Sequence, residues 1–392
     1  MFRISLYTCL LFTACSVTVF YLPVLFQEKG FSNSEIGLMM GVSSLISVMA
    51  QPFWGLVSDR YRTIKKVLIL LMLGSMLFSL PLFIGGRQFA VMILFIILFQ
   101  MFHSSVLPMS ESLMVRYAYE HQRTFGAIRA WGDFGIGIGA LLVGYALDVY
   151  GVAFLAWFYI GMLSVTLLSA ARIEDAQAHA VPVSRESIRK LMSNRRFFLF
   201  LVTMLIFAIP HRINDSFLPL YLKELGAPDS MVGKAWLVAT LCSVPALYLV
   251  GRFIQRYGEM ACLTFAGVIY IIRWVIYSIV PDPVAIMYAQ ALHMLTYPVF
   301  LTAAVLFIFR IVPRELASTG QTMFAATFGG IGGIIGNSLG GRMMDTIGSG
   351  AMYMGGAALC LVGLVIFLAL VPYFKSADQA TGSAGTSANR DI

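Results

Sequence analysis

The stretch YLPVLFQEKGFSNSEIG, residues 21–37, occurs a second time in this chain in altered form. Offset by 196 residues, from 21 to 217, it aligns without a gap with FLPLYLKELGAPDSMVG at residues 217–233. The positions that keep the same residue in both copies are, in the first copy, Leu22, Pro23, Glu28, Gly30, Ser34 and Gly37. A repeat separated by half the chain length indicates two copies of one structural unit.

Further motif pairs recur in chain order at nearly the same offset, which chance does not explain. They are Gly55-x3-Asp59-Arg60-Tyr61 with Gly251-x3-Gln255-Arg256-Tyr257, His103-x4-Pro108 with His293-x4-Pro298, and Gly144-x3-Asp148-x2-Gly151 with Gly341-x3-Asp345-x2-Gly348. The repeat therefore extends over both halves of the chain.

The amino-acid composition indicates whether these two units are water-soluble or lie in a membrane. Of the 392 residues 59% are hydrophobic and 12% are charged, and the mean hydropathy is +0.83. A soluble chain carries about 25% charged residues, so this one has too little polar surface for a water-soluble globule. Disordered and disulfide-framework proteins are excluded for the same reason. The chain is a multi-pass membrane protein.

Helix-length apolar runs divide each half into six segments. A hydrocarbon core about 30 Å thick needs about 20 helical residues to cross it. The predicted spans lie near 4–26, 34–57, 67–86, 88–115, 125–147, 151–170, 197–222, 230–254, 260–280, 283–310, 317–341 and 350–372. Because six crossings return the chain to its starting side, the halves are parallel repeats. We therefore predict an all-α membrane protein with twelve transmembrane helices in two parallel six-helix bundles.

Polar segments set the domain boundaries. The prediction is an N-terminal bundle over 1–170, a cytoplasmic linker over 171–196 with a basic amphipathic helix from Ser184, a C-terminal bundle over 197–372, and a disordered cytoplasmic tail over 373–392. Most of the 27 lysine and arginine residues fall on the side of the N-terminus. The positive-inside rule then predicts that the protein lies in the cell membrane with both termini on the cytoplasmic side. The net charge of +8 reflects this topology and gives no reason to expect nucleic acid.

Charged residues inside the spans are the candidates for function, because each costs at least about 2.5–3.5 kcal/mol in the bilayer. Arg129 and Asp133 are four residues apart, and Arg212 and Asp215 are three apart, so each pair shares a helix face. The alternative is that such pairs only neutralise one another and fix helix packing. The full set is Glu111, Arg129, Asp133, Arg212, Asp215 and Arg273, with His103, His211 and His293 beside them.

The loop between the second and third spans resembles the signature of the major facilitator superfamily, roughly G-x3-D-R-x-G-R-[RK]. Gly55, Asp59 and Arg60 match its first positions, and Tyr61 and Thr63 depart from it. The resemblance implies two bundles that rock about a central solute site. It also implies that Gly55, Asp59 and Arg60 take part in gating.

A narrower resemblance is to the lactose permease and phenylpropionate permease branch. It rests on Pro108-x2-Glu111 followed by Phe125-Gly126-x2-Arg129-x2-Gly132-x2-Gly135, and on Arg273 followed by Leu292-His293-Met294 and Pro298. The resemblance implies that the substrate is bound by Glu111, Arg129, Arg273 and His293. Trp131 is added as a candidate lining residue because it lies two positions from Arg129.

Departures from that branch change the expected coupling. Thr296 and Thr240 stand where acidic residues are expected, and Ile136 replaces the tryptophan that stacks on a sugar ring. We therefore do not expect galactoside recognition. The candidates for carrying a proton are Asp215, Asp133, Glu111 and His293.

The predicted protein is a secondary active transporter for a small organic solute, sugar-like or aromatic acid-like, driven by proton symport. A proton-driven exporter of drugs or metabolites is the alternative. An enzyme is not expected, because the chain has neither a nucleophile–base pair nor a metal-ligand cluster. We expect no cofactor, no metal and no nucleic acid. The partners are the solute, protons and the lipid bilayer, and the protein is expected to be a monomer.

Overall fold

The structure is a computed structural model that describes residues 1–173, 175 and 185–387. Within these residues every regular element is helical and no strand occurs. The helices of the N-terminal half are α1 (Phe2–Glu28), α2 (Asn33–Tyr61), α3 (Lys65–Ile84), α4 (Phe89–Glu120), α5 (Phe125–Tyr150) and α6 (Phe154–Ala171). After the short helix α7 (Arg185–Met192), the C-terminal half contains α8 (Arg195–Glu224), α9 (Asp229–Tyr257), α10 (Glu259–Ile279), α11 (Pro283–Ile311), α12 (317–347) and α13 (349–387).

The spanning helices agree with the predicted fold class. In the described part of the chain, ten helices are long and apolar enough to cross a membrane. This count treats residues 317–374 as a single helix. Helix α9, which is bent by 55°, is an eleventh candidate. Gly348 divides that longest run, because its φ of +81° is a left-handed conformation that interrupts the helix. The two arms, α12 and α13, complete the twelve crossings predicted from sequence.

The predicted linker and tail are described only in part. Helix α7 lies inside the predicted linker, whereas residues 176–184 lie outside the described residues. Helix α13 continues to Ser387, and residues 388–392 of the predicted tail lie outside the described residues.

Several helices are irregular at mid-length. A π-helical turn occupies Val17–Tyr21 in α1, and another occupies Ala326–Ile331 in α12. In α11 a 3₁₀ stretch over Gln290–Leu295 precedes Pro298, and α4 is broken between His103 and Val106. Proline cannot donate the backbone hydrogen bond of a helix interior, so both breaks lie just before the repeated prolines. Such irregular turns often mark functional positions in helices.

Two seams join the halves, α2 against α12 and α5 against α9. Glycines permit backbone contact along them. In the first seam Gly37 packs on Asn337, and in the second Gly144 packs on Asp229. Small residues let membrane helices approach this closely. Both contacts lie near the ends farther from Met1, which we call the distal side.

The seams open toward the terminal side, the side on which Met1 and the end of α6 lie together. The seam contacts continue to mid-membrane, where Val48 meets Gly330 and Thr240 meets Gly137. At Gly55, by contrast, no described atom of another helix lies within 4 Å of the position a Cβ would take, and the same holds at Gly126 and Gly251 of the second seam. The halves therefore enclose a cavity that is closed on the distal side and open on the terminal side.

Aspartates reinforce the distal closure. The Asp345 carboxylate of α12 accepts hydrogen bonds from the Ser34 backbone N–H at 2.7 Å and the Asn33 backbone N–H at 3.2 Å. Asp148 of α5 accepts from the Ser230 backbone N–H at 3.2 Å. Each carboxylate thus caps the first turn of a helix in the opposite half, where the helix dipole favours negative charge. The repeated Gly-x3-Asp-x2-Gly motif forms this pair of contacts, which we call the distal clasp.

Candidate functional site

The charged group of the N-terminal half is built on α4 and α5. Arg129 donates from Nε to Glu111 Oε1 at 3.1 Å and from Nη1 to Asp133 Oδ1 at 2.6 Å. The helical spacing of four residues brings Asp133 to Arg129, whereas Glu111 reaches it from the neighbouring helix. One guanidinium therefore bridges two carboxylates. We call these three residues the N-half cluster.

The N-half cluster is accessible from the cavity. The side chains of Glu111, Arg129 and Asp133 are 43%, 29% and 28% exposed. On its inner side the Arg129 guanidinium lies 4.4 Å from the centre of the Phe12 ring, a cation–π contact with α1. The Phe12 ring therefore packs against one side of the cluster, and the other side is accessible to a solute in the cavity.

Trp131 is not brought into this cluster. Two residues along a helix correspond to a rotation of about 200°, which places its side chain on the opposite face from Arg129. Its indole is 47% exposed and lies edge-on to Phe134, with ring centroids 6.1 Å apart.

The C-terminal half presents its own charged pair on α8. Arg212 Nη1 donates to Asp215 Oδ2 at 3.0 Å, and both side chains are partly exposed, at 32% and 26%. His211 Nε2 lies 3.6 Å from the same carboxylate oxygen. Arg212 and Asp215 therefore share a partly exposed face of α8, and the buried imidazole of His211 lies beside the carboxylate.

His211 connects this pair to the interior of the half. Its ring stacks on Tyr297 with centroids 4.7 Å apart and is nearly parallel to the His293 ring at 6.2 Å. The Tyr270 hydroxyl lies 3.2 Å from His211 Nδ1. Sequence reasoning singled out His293 but did not place His211 between the histidine and the carboxylate. The only available signal was its position directly after Pro210.

Arg273 is fully buried among neutral groups. It donates from Nε to the Tyr277 hydroxyl at 3.1 Å and reaches His293 Nδ1 from Nη1 at 3.2 Å. Nη2 donates to Gln290 Oε1, and the guanidinium lies 4.8 Å from the Trp274 ring centre. Arg273 and His293, both predicted to bind the substrate, are thus in contact with each other, and in this conformation the guanidinium faces the bundle interior.

His103, the repeat equivalent of His293, has a different environment. The imidazole lies 2.8 Å from the Thr18 hydroxyl and 3.0 Å from the Tyr159 hydroxyl, and it stacks on Phe99. These contacts place it in the core formed by α1, α4 and α6. Its polar atoms are satisfied there by neutral hydroxyl groups.

The residues of the predicted gating loop lie at the open end of the first seam. Asp59 is partly buried and Arg60 is exposed at the end of α2, close to Gly55. A short turn follows, in which Arg62 adopts a φ of 50° and Thr63 Oγ1 donates to Asp175 Oδ2 at 2.5 Å.

Tyr297 of α11 lies near both charged groups. The charges of Arg212 and Asp215 act on the Tyr297 hydroxyl from the C-terminal half, and those of Arg129 and Glu111 act on it from the N-terminal half. Tyr297 therefore lies within electrostatic range of both groups. Exposed charges of both signs at mid-membrane mark a solute or ion pathway, and a site between two repeated bundles is the arrangement of secondary transporters.

The fold and this site define the class: a multi-pass membrane protein that transports small solutes. The chain belongs to the MFS_1 like family, which matches residues 1–354. It is 27% identical over 380 residues to the maltose permease of Geobacillus stearothermophilus, covering 95% of each chain. It is also 24% identical over 308 residues to the "Probable 3-phenylpropionic acid transporter" of Escherichia coli (strain K12), covering 77% of this chain and 80% of that protein.

The solved structures support the fold. The crystal structure of a mutant form of the nucleoside transporter NupG superposes with a TM-score of 0.86 over 94% of this chain and 99% of that chain, at 15% sequence identity. The predicted membership of the major facilitator superfamily and the predicted all-α membrane fold are thus confirmed.

Proposed function

We propose that this protein moves a small organic solute, sugar-like or aromatic acid-like, across the cytoplasmic membrane by alternating access, in symport with protons. The observation that carries the proposal is the N-half cluster, in which the single guanidinium of Arg129 bridges the carboxylates of Glu111 and Asp133. With both carboxylates ionised, this accessible cluster has an excess of one negative charge.

An excess charge inside a membrane is costly, and we propose that one proton on the cluster removes it. A proton on Glu111 or Asp133 restores neutrality and leaves the other carboxylate paired with Arg129. The neutral cluster can cross between the two access states at lower cost than the charged one. Solute and proton are released on the other side, and the empty site returns without the proton, with Arg129 paired to both carboxylates, which completes the cycle. The cavity carboxylates therefore supply the coupling, and no further cofactor is needed.

The C-terminal half supplies the opposing wall of the site. Asp215 is the proton carrier we propose on this side, and His293 is the inner group that it reaches through the ring of His211. Arg129 and Glu111 bind the solute from the N-terminal half. We assign Arg273 to substrate binding only through His293, whose ring it holds.

Opening of the cavity toward the terminal side is assigned to the cytoplasm. This orientation follows from the excess of lysine and arginine on that side. In this access state the loop with Gly55, Asp59 and Arg60 lies at the open end of the first seam. We propose that it closes against α12 when the distal clasp opens.

Transport into proteoliposomes tests the proposal. Purified protein is reconstituted, and uptake of labelled maltose, uridine and benzoate is measured with and without an imposed inward proton gradient. We expect accumulation of one of these solutes that requires the gradient. Glu111→Gln and Asp133→Asn are the informative variants, because each removes the excess charge and should weaken the dependence on the gradient. Uptake that ignores the gradient in the unmodified protein would remove the symport claim, and gradient-driven efflux would indicate export.

A further inference from the structure

A second cavity lies within the C-terminal half, beside the charged pair of α8. Its volume is about 430 Å³ and it lies between α11 and α12. The residues that matter here are Arg212, Tyr297, Leu301, Gln321, Phe328 and Gly329. We call this cavity the α11–α12 slot. Its volume falls in the range of ordinary small-molecule sites, about 300–1,000 Å³.

The slot is mainly aromatic and aliphatic, with one cationic end. Tyr297 and Phe328 form a continuous ring surface, with centroids 6.0 Å apart, and Leu301 extends the apolar wall along α11. The polar groups of the lining are the guanidinium of Arg212, the amide of Gln321 and the hydroxyl groups of Thr322 and Tyr297, and the charge is that of Arg212. An apolar body with a single polar group at one end is complementary to this lining.

Two donors of the Arg212 guanidinium make the slot favour a negatively charged group. Nη1 is occupied by Asp215, whereas the buried Nε–H has no hydrogen-bond partner. Nη2 points toward Gly329, where it lies 3.4 Å from the position that a Cβ would take. Nε and Nη2 are the two donors on one side of a guanidinium, and together they fit both oxygens of a carboxylate. A buried donor without a partner costs free energy that such a ligand would recover.

The N-half cluster does not offer the same site. Both Nε and Nη1 of Arg129 already donate to carboxylates, and the surplus negative charge there repels an anion. In the C-terminal half Arg212 pairs with a single carboxylate, Asp215, so this exposed pair is neutral and carries no surplus of negative charge. An anionic group is therefore directed to the slot rather than to the cluster.

The local backbone also marks the slot. Phe328 and Gly329 belong to the π-helical turn Ala326–Ile331, and Tyr297 begins the α-helical segment of α11 one residue after its 3₁₀ stretch. The π-helical turn inserts an extra residue into α12, which changes the direction of the side chains that follow. A Cβ at Gly329 would just touch the guanidinium, at 3.4 Å from Nη2, so only a larger side chain there would displace it.

We propose that the α11–α12 slot is the specificity subsite of the transported solute and that this solute is a small organic monocarboxylate with a planar or apolar body. The carboxylate binds Nε and Nη2 of Arg212, and the body lies on Tyr297 and Phe328. A second carboxylate would meet the negative surplus of the N-half cluster, so dicarboxylates are disfavoured. This inference rests on the proposed function and selects its acid-like solute over the sugar-like one.

Binding of matched acids and amides tests the subsite without requiring transport. Benzoate and benzamide, and cyclohexanecarboxylate and its amide, have nearly the same shape and differ in charge. Binding to the purified protein in nanodiscs is measured by competition against labelled benzoate. We expect each acid to bind about tenfold or more tightly than its amide, since a hydrogen bond to a charged group contributes about 1.5–3 kcal/mol. Equal binding of acid and amide, or absence of benzoate binding, overturns the inference.

Substitutions test whether the preference for the acid over the amide depends on Arg212. Arg212→Gln should remove the difference between acid and amide, whereas Arg252→Gln, at an exposed arginine of α9, should retain it. Gly329→Ala only touches the guanidinium and should bind benzoate nearly as well as the unmodified protein, while Gly329→Val occupies its place and should not. If Arg212→Gln keeps the preference in protein that elutes as a folded monomer, the subsite is elsewhere and the inference is wrong.

The transport assay separates this inference from the proposed function. Gradient-driven uptake of maltose or uridine without benzoate binding overturns the monocarboxylate subsite and leaves proton symport intact. Benzoate binding that depends on Arg212, in protein that shows no gradient-driven uptake, does the reverse.

Discussion

The two halves of this molecule share a backbone plan and differ in where they keep their charge. In the N-terminal half Arg129 lies between two carboxylates at the cavity wall, and His103 is half-buried among neutral hydroxyl groups. In the C-terminal half Arg273 is fully buried with neutral partners, and His293 contacts it. The repeat therefore preserves helix positions but not chemistry.

That difference assigns different roles to similar side chains. An exposed ion cluster can exchange protons and bind a solute, whereas a buried guanidinium with satisfied donors orders its surroundings. We infer that the N-terminal half supplies the exchangeable charge. The C-terminal half supplies a rigid ring network that ends at the exposed pair of Arg212 and Asp215.

The largest effect should come from Arg129→Gln, which breaks the exposed cluster. Removal of one partner from a hydrogen-bonded charge pair costs about 2–5 kcal/mol, so we expect the initial rate of solute uptake to fall about a hundredfold. The rate is measured in proteoliposomes and normalised to the amount of folded protein. Arg252→Gln, an exposed arginine outside the cavity, is the matched control. Uptake within threefold of the unmodified protein would show that the N-half cluster is not the solute site.

Arg273→Met should instead lower stability. The substitution leaves the Tyr277 hydroxyl, Gln290 and His293 without their buried donor, which costs about 3 kcal/mol in total. We expect the melting temperature in detergent to fall by about 5 °C. Arg129→Met, at a partly exposed position, should change it by less than half as much. Equal shifts for the two variants would contradict the division of roles between the halves.

The contrast between the halves also shows what the sequence can predict. The internal repeat and the apolar run lengths determine the number of helices, and the spacing of Arg129 from Asp133 predicts their contact, because all of these are local properties. The breaks before Pro108 and Pro298 follow from the missing backbone donor of proline. These features therefore appear in the structure close to where the sequence places them.

Contacts between helices that are distant in sequence could not be predicted in this way. His103 and His293 hold equivalent positions in the repeat, yet one meets Thr18 and the other meets Arg273. Which neighbours a helical residue meets depends on how each helix is rotated about its axis, and spacing within one helix does not contain that information. The stacking of His211 on Tyr297 and the free edge of Arg212 arise in the same way.

Exchange of single histidines sharpens the comparison further. We expect His103→Gln to change proton-driven uptake less than about twofold, because its ring has no charged neighbour and the amide can still bond the Thr18 hydroxyl. His211→Gln should lower it about tenfold, because the ring between Asp215 and His293 is lost. Solute counterflow, which needs no net proton movement, is measured in parallel and should persist in both variants. A loss of counterflow in His211→Gln would indicate a structural role instead.

The smallest effect should come from the distal clasp, through which each half caps a helix of the other. Asp345 accepts two backbone N–H groups and the Asn33 side chain, whereas Asp148 accepts one backbone N–H. A carboxylate at a helix N-terminus contributes about 0.3–1 kcal/mol. Asp345→Asn should therefore shift the balance toward a distal-open state by about two- to fivefold, and Asp148→Asn by less.

Distances between spin labels can show whether Asp345→Asn opens the distal side more than Asp148→Asn does. Labels on Ile84 and Ile279, which are exposed at the distal ends of α3 and α10, report the separation of the halves in protein whose native cysteines are replaced. The longer distance should gain population in Asp345→Asn more than in Asp148→Asn. Asp282→Asn is the control, since Asp282 caps α11 within its own half and holds no contact between halves. If Asp282→Asn opens the distal side as far as Asp345→Asn does, the effect is one of surface charge, and the clasp does not hold the closed state.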